Sequence, residues 1–246
     1  MQHYLLALIY TYKCTASCDI CCFSCSPERE EKMSLSDAKR YVSEAKKCGV
    51  KMVGIAGGEP LIFFDEIIEL AKYTKSLGMN ITLTTNCFWA ESYNISLEIL
   101  ETLRNAGINH IKISSDEFHG KYIPYENIKN VLNAAKNINL KVVVGCTVTK
   151  NSDRLRGLLS HIEDESTGTI LLEQTCYPLG RAKEYFKEDQ FIYKKNIDRF
   201  CKDGGMITIT PDGSVYPCGS MFSIISNRLV GSMCEHSYEL IAKKST

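Results

Sequence analysis

The chain has 246 residues, 44% of them hydrophobic and 24% charged, the proportions of a folded globular protein long enough for one large domain. Lys plus Arg and Asp plus Glu each number 29, so the formal charge is zero and no basic excess exists to neutralise a nucleic-acid backbone. No apolar run approaches the ~20 residues of a membrane span, and the short apolar stretch at 5–9 lacks the flanks of a signal peptide. The expected setting is therefore the cytoplasm, with neither nucleic acid nor membrane as partner.

In chain order, strand-like and helix-like segments alternate. Residues 4–10 read as a buried strand, and a Cys-rich loop covers 11–32. Ser34, with Asp37 three residues on, opens a helix that reaches Cys48 and is closed by Gly49. A strand at 52–56 ends in Gly57, Gly58, Glu59 and Pro60, followed by a helix at 64–77. A strand at 81–85 ends at Asn86, and a helix at 96–105 is closed by Gly107. A strand at 108–114, a helix at 124–137, a β-branched strand at 140–148, a helix at 153–162 and a strand at 169–173 complete six units. Such alternation predicts an α/β fold with a parallel sheet, and six units fall short of the ~250 residues of a complete eight-unit barrel. The expected fold class is a partial (β/α)6 TIM-like barrel over 1–182, with a short C-terminal extension over 183–246. That extension reads as a hairpin turning at Asp212 and Gly213, then a helix at 235–243.

Twelve cysteines are the outlier. Cys14, Cys18 and Cys21 stand in one loop directly after the first strand, on the side where parallel βα folds carry their functional loops. Thiolates so spaced can converge on an inorganic cluster, and three of them leave one iron of a four-iron cluster open. A zinc site and a redox pair are the alternative readings of these spacings. Cys48, on its helix, reads as an inert buried thiol.

The spacing C-x3-C-x2-C, followed by Gly57-Gly58-Glu59-Pro60 at the second strand end, resembles the radical S-adenosylmethionine (radical SAM) family. Thr84-Thr85-Asn86, Ser114-Ser115-Asp116, Val148-Thr149 and Gly180-Arg181-Ala182 follow in the family's order at later strand ends. The resemblance implies a [4Fe-4S] cluster on Cys14, Cys18 and Cys21, with SAM on the open iron and an electron donor such as flavodoxin or ferredoxin. It implies reductive cleavage of SAM and removal of a hydrogen atom from a substrate C–H bond. Gly57 and Gly58 would let backbone approach the cofactor, and Glu59 would accept from an amine. Asn86, Ser114 and Asp116 would meet ribose hydroxyls, and Arg181 the SAM carboxylate.

Within that family, Cys14-to-Pro27, Asn86-Cys87-Phe88-Trp89 and the Asp116–His119 stretch resemble YydG-like radical SAM peptide epimerases. The preferred substrate is accordingly a ribosomally synthesised peptide. A small molecule is the alternative within the family, and a non-catalytic iron–sulfur or zinc protein the alternative outside it. The epimerases carry a second cysteine after the position matching Cys218, where this chain has Gly219. The hydrogen-returning thiol would then fall to Cys87 or Cys176, with Cys22, Cys25 and Cys146 as further candidates. His119 is a candidate proton donor or substrate contact, and Trp89, Tyr122 and Tyr125 candidate pocket walls. Cys201, Gly213 and Cys218 resemble the first half of a SPASM or twitch extension, which implies a possible second, auxiliary cluster with Cys234 as a third ligand.

Overall fold

The computed structural model describes residues 3–193, 205–218 and 229–244. Six parallel strands and their helices follow one another as expected: β1 (Leu5–Thr11), α1 (Leu35–Lys47), β2 (Met52–Gly57), α2 (Phe64–Ser76), β3 (Asn80–Thr85), α3 (Tyr93–Ala106), β4 (Ile108–Ser114), α4 (Tyr125–Asn137), β5 (Lys141–Val148), α5 (Arg154–Ser166) and β6 (Ile170–Thr175). A short helix, α6 (Arg181–Tyr185), follows β6. The tail contributes β7 (Met206–Ile209), β8 (Ser214–Tyr216), β9 (Gly231–Ser232) and α7 (Tyr238–Lys244).

Local chemistry sets the element ends. Ser34 Oγ accepts from Asp37 N at 3.0 Å and starts α1. The α3 helix begins three residues before its expected start, because Ser92 caps it by accepting from Ile95 N. It stops at Gly107, whose φ of +115° is the left-handed conformation that suits glycine.

The described strands form one sheet in the order β6-β5-β4-β3-β2-β1-β7-β8-β9. Leu5 pairs with Met52 on one side and Met206 on the other, so β1 lies inside the sheet, parallel to both neighbours. The extension expected at 183–246 thus continues the barrel sheet through β7, and the antiparallel β7–β8 hairpin turns at Gly213 with φ +80°. Helix α7 closes over α1: Tyr238 and Ile241 are fully buried, and Tyr238 N donates to Glu44 at 2.8 Å.

Period-two alternation sorts the strand side chains. Leu6, Leu8, Val53, Ile55, Ile81, Leu83, Ile111, Ile113, Val142 and Val144 are buried in the main core. The opposite faces carry Ala7, Gly54, Ala56, Thr84, Lys112, Ser114 and Thr147, which line an interior cavity. Small residues on β1 and β2 leave that space open, and polar residues on β3 to β5 furnish it. The sheet ends at β6, where Ile170 and Leu172 are exposed. No helix among the described residues is long and apolar enough to cross a membrane.

Candidate active site

The interior cavity has a volume of about 490 Å3 and opens at the C-terminal ends of the strands. Cys14, Cys18 and Cys21 all line it, together with Gly57, Gly58, Asn86, Ser114 and His119. A larger cleft of about 690 Å3 lies at the other end of β4 and β5, between Leu132, Lys136 and Ile170, and carries no thiol. The reactive side-chain types gather in the smaller one.

The cysteine loop is fixed from several directions. Cys14 N donates to Ser26 O at 3.0 Å and Tyr12 N to Glu31 O at 2.9 Å, tying the loop's two arms together. Lys121 pairs with Asp19, and Tyr122 Oη donates to Ser17 O at 3.0 Å, so the segment after β4 clasps the loop. From beyond β6, Arg181 donates to Cys18 O and Cys25 O, both at 2.8 Å, and its backbone N donates to Cys21 O at 3.0 Å. A Cβ on Gly180 would stand 2.3 Å from Cys22 O, so only glycine lets that segment approach the loop. The Arg181 fork, expected on a ligand carboxylate, is here spent on loop carbonyls.

Three other signature residues also turn toward the protein. Glu59 is fully buried, and its carboxylate accepts from Leu61 N at 3.0 Å, Thr85 Oγ1 at 3.0 Å and Asn86 N at 2.7 Å. Expected as an acceptor for a ligand amine, it is instead a staple between the ends of β2 and β3. Asn86 Nδ2 reaches Thr15 Oγ1 at 3.1 Å and Cys14 Sγ at 3.7 Å, while its Oδ1 accepts from Phe88 N. Asp116, expected on a ribose, accepts from Phe118 N, His119 N and His119 Nδ1 through one oxygen and from Thr147 N through the other. Ser114, like Asn86, lines the cavity, and its hydroxyl is not tied to the loop or strand ends as the other expected polar contacts are. Gly57 and Gly58 line the cavity, yet their lack of a side chain is required by the fold itself. A Cβ would stand 2.4 Å from Thr11 O at the first and 2.1 Å from Lys13 O at the second.

Electrostatics follow from this burial. Burial pushes the Cys14 thiol up to about 11 and Cys18 well above the ordinary thiol range. Cys21 moves the other way because its sulfur accepts hydrogen bonds from Cys25. Burial also lifts Glu59 to about 7, against its three donors. Burial works against charge on both Asp116 and His119, but each stabilises the other, so the carboxyl lies below and the imidazole above its ordinary value. His119 thus presents to the cavity a ring that is oriented by Asp116.

Several expected residues do not join this group. Cys87, a candidate hydrogen donor, has φ +66° and is fully buried in the main core between the sheet and its helices; it does not line the cavity. Cys176 is buried behind the cysteine loop, in an apolar cluster with Cys25, Phe118 and Phe191, and is likewise off the cavity wall. Trp89 lies in the main core with Nε1 on Thr85, Tyr125 stacks on His161 at 4.1 Å, and Tyr122 is exposed; none forms a cavity wall. Cys201 lies outside the described residues. Cys234, just after β9, is exposed beside the hairpin turn with Sγ 3.6 Å from Asp212 O, and Cys218 accepts at its carbonyl from Thr208. No three His, Cys, Asp or Glu side chains converge as a single-ion site among the described residues. Cavity residues that no motif pointed to include Lys112, Thr147, Gln174, Met206 and Thr208. Strand alternation could have found Lys112, two residues from Ser114 on the same face of β4.

A partial βα barrel whose mouth holds three cysteines of one loop over an interior cavity defines a class, and the family comparison agrees. The Radical SAM superfamily pattern matches residues 8–155, more than half of the chain, and the chain belongs to that superfamily, a class of enzymes. Among individual proteins, the chain is 30% identical over 217 residues to YydG of Bacillus subtilis, named for peptide biosynthesis, covering 85% of this chain and 66% of that protein. It is also 30% identical to a probable GTP 3′,8-cyclase of Methanothermobacter marburgensis, covering 87% of this chain and 83% of that one. The fold matches the structure of anSMEcpe with bound AdoMet and a Cp18Cys peptide, with a TM-score of 0.62 at 14% identity, covering 96% and 79% of the two chains. The chain spans just under two thirds of YydG's length.

Proposed function

We propose that this protein is a radical SAM enzyme that acts on a ribosomally synthesised peptide. The observation that carries the reading is that Cys14, Cys18 and Cys21 of one loop all line the same cavity, whose largely apolar interior carries a few polar side chains. Three sulfurs from one ordered loop, with no fourth residue of the same loop required, suit a [4Fe-4S] cluster with an open iron, and the space beneath suits SAM and part of a substrate. When bound, this pair supplies reductive cleavage of SAM and a 5′-deoxyadenosyl radical that takes a hydrogen atom from a C–H bond.

The chain's own residues act around that chemistry. Cys14 and Cys18 are protonated at neutral pH by their burial, so metal loading must release their protons, and affinity rises with pH. Arg181, Asn86 and Lys121 hold the loop in one conformation. Ser114 and the backbone of Gly57 and Gly58 offer polar atoms to the cofactor, and the Asp116-held ring of His119 offers a proton or a hydrogen bond to the substrate. Cys22 and Cys25 line the cavity and are better placed to return a hydrogen atom than Cys87 or Cys176.

The peptide preference rests on the likeness to YydG and on the cysteine-loop pattern. The GTP 3′,8-cyclase likeness, over a larger share of that relative, favours a small molecule as the second reading. The test is anaerobic reconstitution with iron and sulfide, then SAM and dithionite. Release of 5′-deoxyadenosine is expected, and Cys14→Ala, Cys18→Ala and Cys21→Ala should each lose both the iron and the product. No product with any reductant would overturn the radical reading. A short peptide encoded beside the gene should then undergo a SAM-dependent mass change or loss of a Cα deuterium label. Consumption of GTP instead, with the peptide unchanged, would overturn the peptide assignment.

A further inference from the structure

Lys112 lies on the inner face of β4, half-buried in the wall of the cavity. Its Nζ donates to Gln174 Oε1 at 2.8 Å, across Gly145 of the intervening strand β5. That glycine is what gives the ammonium its place: a Cβ there would stand 2.9 Å from Lys112 Cε and 3.1 Å from Gln174 Oε1. Several other cations of the chain face carboxylates, as Lys32 faces Glu66, Lys121 faces Asp19 and Arg154 faces Glu173, while Arg181 is held by two loop carbonyls. Lys112 faces none, and no Asp or Glu lines this cavity among the described residues. Desolvation without a counter-charge holds its ammonium below the ordinary lysine value. A half-buried cation with only an amide oxygen for a partner is a site of unmatched positive potential.

We propose that Lys112 and Gln174 form the subsite for a carboxylate of the substrate, deep in the barrel and open along β6. This rests on the radical reading for the chemistry above it, but the subsite itself stands on the geometry just described. The ammonium and the Gln174 amide NH2 are adjacent donors, and a carboxylate has two oxygens to meet them. A single ammonium matches one such charge, whereas a polyphosphate calls for several cations. Ser114 and Lys112 are two residues apart on one strand, so the subsite lies about 7 Å below the top of β4. A side chain or terminus anchored there extends upward past Ser114 toward the cysteine loop. Gln174 is exposed on the sheet-edge strand, which gives an elongated substrate a way in.

The test uses the reconstituted, SAM-loaded protein and N-acetylglutamate as probe, read by ligand-observed saturation-transfer NMR. N-acetylglutamate should receive saturation, and its diamide, N-acetylglutamine amide, which carries no carboxylate, should not. Lys112→Gln should weaken the probe by about tenfold, the loss of one charge-assisted contact. Gly145→Ala, which displaces the ammonium but keeps it, should weaken the probe in the same direction. Circular dichroism and retained iron establish that both variants fold. No N-acetylglutamate binding into the tens of millimolar would overturn the proposal. So would equal binding by Lys112→Gln, or displacement of the probe by inorganic triphosphate at far lower concentration. A rise in the SAM dissociation constant of Lys112→Gln, with probe binding unchanged, would assign the cation to the methionyl carboxylate and overturn it too. Release of 5′-deoxyadenosine by the unsubstituted protein tests the radical reading separately. A protein that binds the probe through Lys112 yet releases none would lose that reading and keep this one.

Discussion

Replacing Arg181 by methionine should loosen the cysteine loop from 160 or so residues away in sequence, and the structure sets the size of the effect. The substitution deletes two hydrogen bonds of 2.8 Å from a guanidinium to the carbonyls of Cys18 and Cys25, and leaves the backbone bond to Cys21 O in place. A hydrogen bond to a charged group contributes ~1.5–3 kcal/mol when well buried. Arg181 is half-buried, so about 2 kcal/mol for the pair is the reasonable figure, equivalent to roughly 30-fold in an equilibrium constant. If the loop must be ordered to hold its cluster, that factor appears in retention of iron. The assay is bleaching of the 4Fe-4S absorbance by a chelator under anaerobic conditions, with SAM affinity measured in parallel. Arg181→Met should bleach about 30 times faster, and Arg181→Lys, which cannot fork to two carbonyls, should fall between. Parental bleaching with a large loss of SAM affinity would refute the reasoning and return Arg181 to the carboxylate role its motif suggests.

Three further substitutions probe the frame around the cavity. Glu59 has a carboxyl raised from 4.5 to about 7, so between those values the folded chain binds a proton that the unfolded chain releases. Its contribution is complete below about pH 4.5 and is lost as pH climbs through 7, a change of about 3 kcal/mol. Glu59→Gln should lack that slope, so denaturant titrations of metal-free parent and variant should diverge across this window, and parallel profiles would contradict the burial argument. Gly58→Ala forces a Cβ to within 2.1 Å of Lys13 O. It should cost about 3 kcal/mol or more and impair iron loading, whereas Gly54→Ala, whose Cβ meets nothing closer than 3.6 Å, should fold and load like the parent.

The barrel units were legible because each is written locally: Ser34 before a helix, Gly107 after one, β-branched runs between. The cysteine spacing likewise singled out the loop that lines the interior cavity. What the sequence could not convey was direction. Asn86, Asp116, Glu59 and Arg181 carry groups suited to a ligand, and only the folded chain reveals that their partners are the loop and strand ends. Cys87 shared the signature stretch with Asn86, but a left-handed backbone turns it into the core. Lys112 escaped notice because a lone lysine on a strand has no motif, although its parity with Ser114 marked it as inward-facing. The pairing of β7 with β1 had no local signal at all, since the partners are some 200 residues apart.

That pairing has a consequence for biogenesis. As the chain leaves the ribosome, β1 is born with β2 as its only companion, and its other border stays open until Met206–Ile209 emerge. The first strand synthesised is therefore among the last to be completed. Nascent chains stalled or truncated before residue 205 would display that border, with Leu6 and Leu8 beside it, to chaperones and to one another. The tail then serves as the clasp that ends this vulnerable interval, whatever else its cysteines do.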